Sequence, residues 1–374
     1  MDVLIVSLGS TGGLRTADEQ LLDSLRRAGA SAAIARAKPP RPLRTLMLTD
    51  LLWASAARRA AISALQQTEA KALIYSSTTA ALLWPRPGAI RFDAAAAGNR
   101  PGRHGLWQRP LERLRLRQAP LLLPWSEGAL AEFGGPRSQT PTPTPTAQAA
   151  PPESRRPSPE LRKPVPPPKS TALVLPVAIE PSPGPPPPDS HEAASQAPER
   201  DIAAFAYIAN PTKKGLPRIL DAWAAAHRPG ERLVLAGAGE SDLRALGYAL
   251  PAPGVQVVPM LPYSEYRALL GRTRVFVCAA RREDYGIAQL EALAEGCLLV
   301  TAPSPGPYAA LPIARALDPR LVGEDLAGAL RVALDDPVSD YAARAHSALA
   351  PFRRAQFDRA VAEDLLPQLL RLRQ

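Results

Sequence analysis

Cysteine is scarce in this chain, since 374 residues contain only two copies, Cys278 and Cys297. Two thiols cannot cross-link a fold of this size or complete a zinc site, so disulfide-rich secreted proteins and zinc proteins are excluded. Apolar runs are also short, and none reaches the roughly 18 residues that span a membrane. The first residues, MDVLIVSLGS, lack the basic leader and cleavage site of a signal peptide. We therefore expect a cytoplasmic protein.

Positive charge is in excess. The 45 lysines and arginines outnumber the 35 aspartates and glutamates, which gives a net charge of +10. Such a surface attracts anions, and nucleotides, acidic lipids and nucleic acids all qualify. The arginines are scattered along helical segments, without the interleaved aromatic residues of a stacking platform. This pattern weighs against a nucleic-acid-binding surface.

Proline is the residue in excess, and nearly half of its 44 copies fall within residues 135–200. Runs such as TPTPTPT and KPVPPPK cannot form a packed helix or a central strand, because proline lacks an amide donor. We predict a disordered insertion over residues 135–169 and an interdomain linker over residues 181–200. Between them, the apolar segment TALVLPVAIE, residues 171–180, predicts a strand that returns to a folded core.

Short apolar segments alternate with helical ones on both sides of this region. Residues 3–7 begin the first series, and the second contains AFAYIAN, RLVLAGAG, VQVVPML, RVFVCAA and CLLVTAP. The alternation predicts an α/β protein of two Rossmann-like, doubly wound domains that face a cleft. The predicted boundaries are 1–134 with 170–180 for the N-terminal domain, 201–350 for the C-terminal domain, and 351–374 for a helix that packs back on the N-terminal domain.

Two helices are predicted near the chain ends. After a turn at residues 9–13, residues 16–28 have helical periodicity. Residues 341–374 are helical as well. Their predicted apolar face comprises Phe352, Phe357, Val361, Leu365 and Leu366.

The most informative stretch is RREDYGIAQLEALAEGCLLVTAP, residues 281–303. It follows an apolar strand, and ligands of open α/β sheets bind beyond the carboxyl ends of the strands. Residues 287–295 predict a helix, whose first amides at Tyr285, Gly286 and Ile287 suit a phosphate group. Glycine at the helix start lets an anion approach the backbone closely.

Two glutamates flank this anion site, Glu283 on the loop and Glu291 on the helix. A carboxylate near the core needs donors, which sugar or ribose hydroxyls would supply. The alternative is an ion pair with Arg274, Arg281 or Arg282.

Together these residues closely resemble the signature of retaining glycosyltransferases of the GT-B fold, family four (glycosyl transferases group 1), which reads Glu-x-Phe/Tyr-Gly, four residues, then Glu-Ala-x-Ala-x-Gly. The matching residues are Glu283, Tyr285, Gly286, Glu291, Ala292, Ala294 and Gly296. The resemblance implies that Glu283 holds hydroxyls of the donor sugar and Glu291 the ribose diol of the nucleotide. The loop residues Tyr285, Gly286 and Ile287 then meet the sugar and the pyrophosphate.

A second segment, AYIANPTKKGLPRILDAWAAA, resembles the family's strand, basic Lys-Gly loop and helix. The resemblance makes Lys214, directly before Gly215, the residue that neutralises the departing diphosphate, with Lys213 as its neighbour and substitute. The alternative for two lysines is a solvated helix start.

The family often has an arginine earlier in this loop, where this chain has Ala209 and Asn210. The phosphate clamp is therefore one cation short. Arg15 and Arg282 are the residues that would compensate.

Three further segments resemble the family more weakly. Gly237 and Gly239, after the strand RLVLA, fit a turn near the nucleoside, and Gly12 and Gly13 fit a loop that faces the donor phosphates. The spacing G-x-G-x-x-G of a dinucleotide site is lacking, which weighs against NAD as the ligand. Asp93 follows the strand AIRF where many members have a histidine, and it is the candidate for an acceptor-side role; its alternative is a helix cap.

The resemblance implies a metal-independent glycosyltransferase of hexosyltransferase type without a cofactor. It moves a sugar from a nucleotide-diphosphate donor to an acceptor hydroxyl with retention of configuration. The implied partners are the donor and an acceptor that is a glycan, a lipid-linked molecule or a small molecule. Basic helices such as RPLERLRLRQ suggest a peripheral contact with an anionic membrane at its inner face. The alternatives are a catalytically impaired GT-B-like scaffold and, less favoured, a nucleic-acid-binding protein.

Overall fold

The structure, a computed structural model, describes residues 1–41, 45–100, 102–134, 171–182 and 200–372. The predicted insertion at 135–169 and residues 183–199 of the predicted linker lie outside this range. By internal contacts the chain divides into two compact units. The first comprises Met1–Leu8, Ala32–Leu175 and Pro367–Gln374, and the second comprises Gly9–Ser31 and Pro176–Leu366.

Eleven strands and fifteen α-helices are present in the described residues. The strands are β1 (Val3–Ser7), β2 (Ala32–Arg36), β3 (Ala72–Tyr75), β4 (Ala89–Phe92), β5 (Leu121–Pro124), β6 (Thr171–Ala172), β7 (Ile202–Tyr207), β8 (Leu233–Ala236), β9 (Val255–Val258), β10 (Thr273–Cys278) and β11 (Leu298–Thr301). The helices are α1 (Gly12–Arg27), α2 (Leu46–Gln67), α3 (Thr78–Ala81), α4 (Ala96–Asn99), α5 (Gln108–Gln118), α6 (Glu127–Phe133), α7 (Leu216–Ala226), α8 (Glu240–Ala245), α9 (Tyr263–Gly271), α10 (Ile287–Ala294), α11 (Ala310–Leu317), α12 (Leu326–Asp335), α13 (Tyr341–Ala348), α14 (Arg354–Arg359) and α15 (Leu366–Arg371). None of these helices is long and apolar enough to cross a membrane.

The first unit contains a parallel sheet with the strand order β2-β1-β3-β4-β5-β6. Every residue of β1, β3, β4 and β5 is buried, as expected for parallel strands covered on both faces. The strand predicted over residues 171–180 is shorter than expected, because β6 holds only two residues. Beyond it, the amides of Leu173 and Leu175 still donate to the carbonyls of Leu122 and Pro124, both at 2.9 Å.

The second unit contains a five-stranded parallel sheet with the order β11-β10-β7-β8-β9. All five strands were expected from the sequence. Numbered within the unit, the order is 5-4-1-2-3, which is the arrangement of a Rossmann-like, doubly wound sheet. The predicted α/β class with two such sheets is therefore confirmed.

Helix α1 begins earlier than predicted, at Gly12 instead of residue 16. The turn expected at residues 9–13 is cut short because the Thr11 hydroxyl caps the helix and accepts the amide of Leu14 at 3.3 Å. The helix packs within the second unit. Asp358 of α14 accepts from Ser24 at 2.6 Å and from Arg27 at 2.8 Å.

The C-terminal segment is interrupted rather than continuous. Between α14 and α15, residues Ala360–Leu365 form a π-helical segment. Of the predicted apolar face, Phe357, Val361 and Leu365 are buried.

Replacing Asp358 by Asn is expected to destabilise the protein by about 1 kcal/mol at neutral pH. Partial burial raises the pKa of Asp358, but Ser24, Arg27 and Arg354 outweigh it and hold the pKa below its usual value. The stabilisation by the Asp358 carboxylate is therefore fully present when the pH is above the pKa of an unfolded aspartate. It is lost as the pH falls through the lower pKa that Asp358 has in the folded protein. Urea unfolding at neutral and at acidic pH measures this. The exposed Asp340, 3.7 Å from Arg344, provides the control Asp340→Asn, which should change little. Equal midpoints for wild type and Asp358→Asn would contradict the role of Asp358.

Candidate active site

The site begins where β7 and β10 lie side by side in the second unit. They are neighbours in the sheet although they are far apart in the sequence, so the strand order reverses between them. Ligands of doubly wound sheets bind in the crevice at such a switch point, beyond the carboxyl ends of the strands. The loops that leave these two ends, residues 208–215 and 279–286, carry both predicted lysines and Glu283.

Helix α10 is preceded by its N-cap residue Gly286, whose backbone is left-handed with φ 91° and ψ 45°. A Cβ atom here would lie 2.7 Å from the ring of Tyr308, so both the conformation and the space require glycine. The first intrahelical bond runs from the Leu290 amide to the Gly286 carbonyl at 3.0 Å. The three amides from Ile287 onward consequently have no acceptor within the helix, and with the helix dipole they form a site for an anion.

Glu283 is buried and receives two donors. The ammonium of Lys214 lies 2.7 Å from Oε2, and the amide of Gln289 donates to the same oxygen at 2.9 Å. Burial by itself would lower the pKa of Lys214, but the charge and hydrogen bond of Glu283, together with Cys278 and Asp284, outweigh burial and raise that pKa. Lys214 and Glu283, two of the predicted catalytic residues, therefore form an ion pair.

Lys213 lies beside this pair but bonds to a residue that the sequence analysis overlooked. Its ammonium is 2.6 Å from Oδ2 of Asp284, and Arg282 Nε is 2.8 Å from Oδ1. Asp284 thus holds two of the cations considered for the phosphate clamp. In the sequence, the run of four charged residues RRED is the signal that could have indicated this role of Asp284.

Glu291 lies on α10 and is also buried. The hydroxyl of Tyr263 donates to its Oε1 at 2.8 Å, and Arg267 donates to that hydroxyl at 2.9 Å. Burial raises the pKa of Glu291, while the Tyr263 hydroxyl and the Arg267 charge act in the opposite direction. Neither tyrosine nor arginine could be assigned to Glu291 from the sequence, because both lie more than 20 residues away on α9.

The ion pairs with arginine that the sequence left open are replaced by other contacts. Glu283 pairs with Lys214. Arg282 pairs with Asp284, and Arg274 donates to the carbonyl of Leu334 at 2.6 Å.

A cavity of about 670 Å³ opens next to these residues, within the second unit. It is lined by Ser10, Thr11, Gly12, Gly13, Arg15, Thr16, Glu19, Gln20, Val177, Ala178, Ile179, Tyr207, Ala209, Ala236, Gly237, Met260, Leu261, Pro262, Tyr263, Tyr266, Ile287, Ala288 and Glu291. Five residues predicted to bind the donor are among them, namely Gly12, Gly13, Gly237, Ile287 and Glu291. A Cβ atom on Gly13 would lie 3.0 Å from the Ile287 side chain, so the starts of α1 and α10 meet at this cavity. Among these lining residues Arg15 is the one lysine or arginine, and its guanidinium donates to the Gly9 carbonyl at 2.9 Å.

Lys214 lies beside the large cavity. It lines a small neighbouring space of about 10 Å³, which shares Tyr207 and Ala288 with the large cavity. Gln289, which bonds Glu283, borders the same space.

The remaining predicted residues lie elsewhere. Gly239 precedes α8 with an extended backbone, and it does not line the cavity. Tyr285 is buried and its hydroxyl accepts the amide of Val177 at 3.2 Å. Asp93 belongs to the first unit, where its carboxylate accepts the amide of Ala94 at 2.9 Å.

Comparison with known proteins supports the resemblance read from the sequence. Residues 199–336 match the model of the family "Glycosyl transferases group 1". No curated protein matches the chain at a significant level. The family match covers all five strands of the second unit's sheet, and it includes Lys214, Glu283 and Glu291.

Several solved structures share the fold over nearly the whole chain. Sucrose-phosphate synthase from Thermosynechococcus elongatus is 14% identical, covers 99% of both chains and gives a TM-score of 0.66. WaaG, a glycosyltransferase involved in lipopolysaccharide biosynthesis, is 14% identical, covers 99% of both chains and gives a TM-score of 0.65. HepE from Anabaena, in complex with UDP and glucose, is 15% identical, covers 98% of this chain and 99% of its own, and gives a TM-score of 0.62. At these identities the likeness shows the fold, which is of the GT-B type.

Replacing Lys214 by Ala is expected to destabilise the protein by about 3 kcal/mol, because a buried carboxylate loses its counter-charge. Adding Glu283→Gln should recover part of this loss, because it removes the uncompensated charge. Urea unfolding of the single and double variants measures both effects. Lys213→Ala is the control, since Lys213 is 42% exposed and Asp284 keeps Arg282 as a partner. A double variant that is no more stable than Lys214→Ala would contradict the pairing.

Proposed function

We propose that this protein is a glycosyltransferase that moves a hexose from a nucleotide-diphosphate sugar to an acceptor hydroxyl with retention of configuration. One observation carries the proposal. Glu291 and Ile287 at the start of α10 line one cavity near the switch point of a doubly wound sheet, and Lys214, which pairs with Glu283, lines the small space beside it. A ligand that is cationic or wholly apolar would not use this combination of groups.

Each part of a nucleotide sugar has a matching group in the site. Glu291 would accept hydrogen bonds from the ribose hydroxyls, because a buried carboxylate is stabilised by each added donor. The amides that begin at Ile287 would bind the pyrophosphate, and Glu283 the hydroxyls of the sugar. HepE, which shares the fold, was solved with UDP and glucose, and this supports a donor of that class.

The chemistry we propose relies on positive charge supplied by the protein. Lys214 and the helix-end amides would stabilise the departing diphosphate, and each such electrostatic contact is worth roughly 3–4 kcal/mol. The acceptor hydroxyl would attack on the face that the diphosphate leaves and pass its proton to a phosphate oxygen. On this proposal no metal ion is required. Asp93 stays a prediction for the acceptor side.

The second candidate is a GT-B-like scaffold that binds a nucleotide without turnover. It is favoured by one observation, the presence of Ala209 and Asn210 where the family often has an arginine. Hydrolysis or transfer of any nucleotide sugar by the purified protein would exclude it.

UDP, GDP, ADP and their glucose conjugates form the first test. At least one of these nucleotides is expected to raise the melting temperature of the protein. A ligand at 100 times its dissociation constant stabilises the folded state by about 2.7 kcal/mol. Glu291→Ala should abolish most of the shift, whereas Glu324→Ala, which alters an exposed carboxylate paired with Arg218, should keep it. If none of these nucleotides shifts the wild-type protein, the proposed function is wrong.

We also propose that the first unit contacts an anionic membrane through α5 and the turn before it. Leu106 and Leu114 are 62% and 47% exposed, and Arg113 and Arg117 are exposed on the same helical face as Leu114. The acidic residue of this segment, Glu112, is buried and accepts the Ala96 amide at 2.8 Å, so it does not oppose an anionic surface. Exposed leucines between arginines are typical of interfacial helices.

The double variant Arg113→Ala/Arg117→Ala should weaken binding to phosphatidylglycerol vesicles about thirtyfold, at about 1 kcal/mol per arginine. Co-sedimentation at low salt measures this, with neutral phosphatidylcholine vesicles as the reference. The control Arg228→Ala/Arg232→Ala removes the same charge from the second unit and should have little effect. If both double variants lost vesicle binding equally, net charge alone would explain the binding, and the proposed contact through α5 would be wrong.

A further inference from the structure

A chain of hydrogen bonds in the second unit ends at Glu291. Arg267 lies at its centre and is buried, with Nη1 2.9 Å from the Tyr263 hydroxyl and Nε 2.9 Å from Oε1 of Glu295. The Nη2 atom of Arg267 donates to the carbonyl of Glu180 at 2.7 Å. The hydroxyl of Tyr263 completes the chain at Oε1 of Glu291, 2.8 Å away.

The direction of each bond in this chain is fixed by chemistry. A guanidinium has only donors, so the Tyr263 oxygen must accept from Arg267. The single proton of that hydroxyl is then directed to Glu291. One oxygen of the Glu291 carboxylate is therefore held in place by the Tyr263 hydroxyl, which donates to it at 2.8 Å.

Arg267 is itself held on its other side. It forms a buried ion pair with Glu295, and both side chains are 9% exposed. The amide and hydroxyl of Ser182 donate to the same Glu295 oxygen at 2.8 and 2.7 Å. The guanidinium also lies 5.7 Å from the centre of the Tyr263 ring. These contacts fix the guanidinium, and through it the tyrosine.

We propose that Tyr263 and Arg267 are positioning residues for donor binding, which hold the Glu291 carboxylate in the orientation that receives the ribose hydroxyls. The inference rests on the proposed function of the site. It explains why the buried guanidinium of Arg267 is joined to the buried carboxylate of Glu291 through a tyrosine hydroxyl. Tyr263 acts through Glu291 and needs no contact of its own with the ligand.

The charge of Glu291 responds to the groups around it. Those that face it or the same cavity are Arg15, Glu19, Tyr207, Tyr263, Tyr266, Arg267 and Glu295. Burial raises the pKa of Glu291, and the Tyr263 hydroxyl lowers it. Without that hydroxyl the pKa of Glu291 rises further, so the carboxylate becomes protonated at a higher pH. As the solution is acidified, nucleotide affinity should therefore be lost earlier than in the wild type.

The test compares Tyr263→Phe in the wild-type and Glu291→Gln backgrounds by calorimetric titration with UDP, GDP and ADP. Tyr263→Phe is expected to weaken the best of these about tenfold in the wild type, as for a lost bond to a charged group. In Glu291→Gln the same change should cost less than about twofold, because coupled residues are not additive. As the solution is acidified, Tyr263→Phe should lose nucleotide affinity at a higher pH than the wild type does.

Two further variants keep the test decisive. Tyr341→Phe also loses a buried hydrogen bond, from the Leu299 amide at 3.2 Å, and should leave affinity unchanged. Arg267→Lys keeps a charge beside Glu295 but loses the fork, and it should weaken binding in the same direction as Tyr263→Phe.

Equal affinity of wild type and Tyr263→Phe, or an equal loss in both backgrounds, would overturn the inference and leave the proposed function intact. Absence of binding by the wild-type protein would overturn the proposed function and the inference with it.

Discussion

The second unit is organised around two buried carboxylates, Glu283 before helix α10 and Glu291 on that helix. An ionised carboxylate is costly to bury unless donors reach it, and the second unit supplies them from separate elements. Glu283 is met by Lys214 from the loop after β7 and by Gln289 from α10. Glu291 is met by Tyr263 from α9. The strand order matters for this reason, because it brings the loops after β7 and β10 together.

A second constraint is electrostatic. Helices α1 and α10 begin close enough for Gly13 to approach Ile287, and both present the positive end of a helix dipole to one cavity. Arg15 adds a full positive charge in the first turn of α1. An anion placed between them would relieve this concentration of positive charge. The same arrangement explains why the packing of α1 within the second unit bears on the site.

The sequence was sufficient where the information is local. Continuous apolar runs predicted all five strands of the second unit, and the segment that ends at Gly296 predicted helix α10. It was insufficient where distant segments meet. Tyr263 precedes Glu291 by 28 residues, and no periodicity connects them. The start of α1 was misplaced because Gly12 and Gly13 favour a turn in isolation, whereas the cap at Thr11 makes them helical.

The ion pair between Lys214 and Glu283 has a consequence for selectivity. Each residue already has a partner, so a ligand gains from one only if it also compensates the other. A free sugar offers hydroxyls to Glu283 but leaves the ammonium uncompensated, and inorganic phosphate does the reverse. A molecule that carries both groups at the right separation exchanges one complete set of contacts for another. On the proposed function, the pair would therefore favour a ligand that carries both groups over a ligand that carries only one of them.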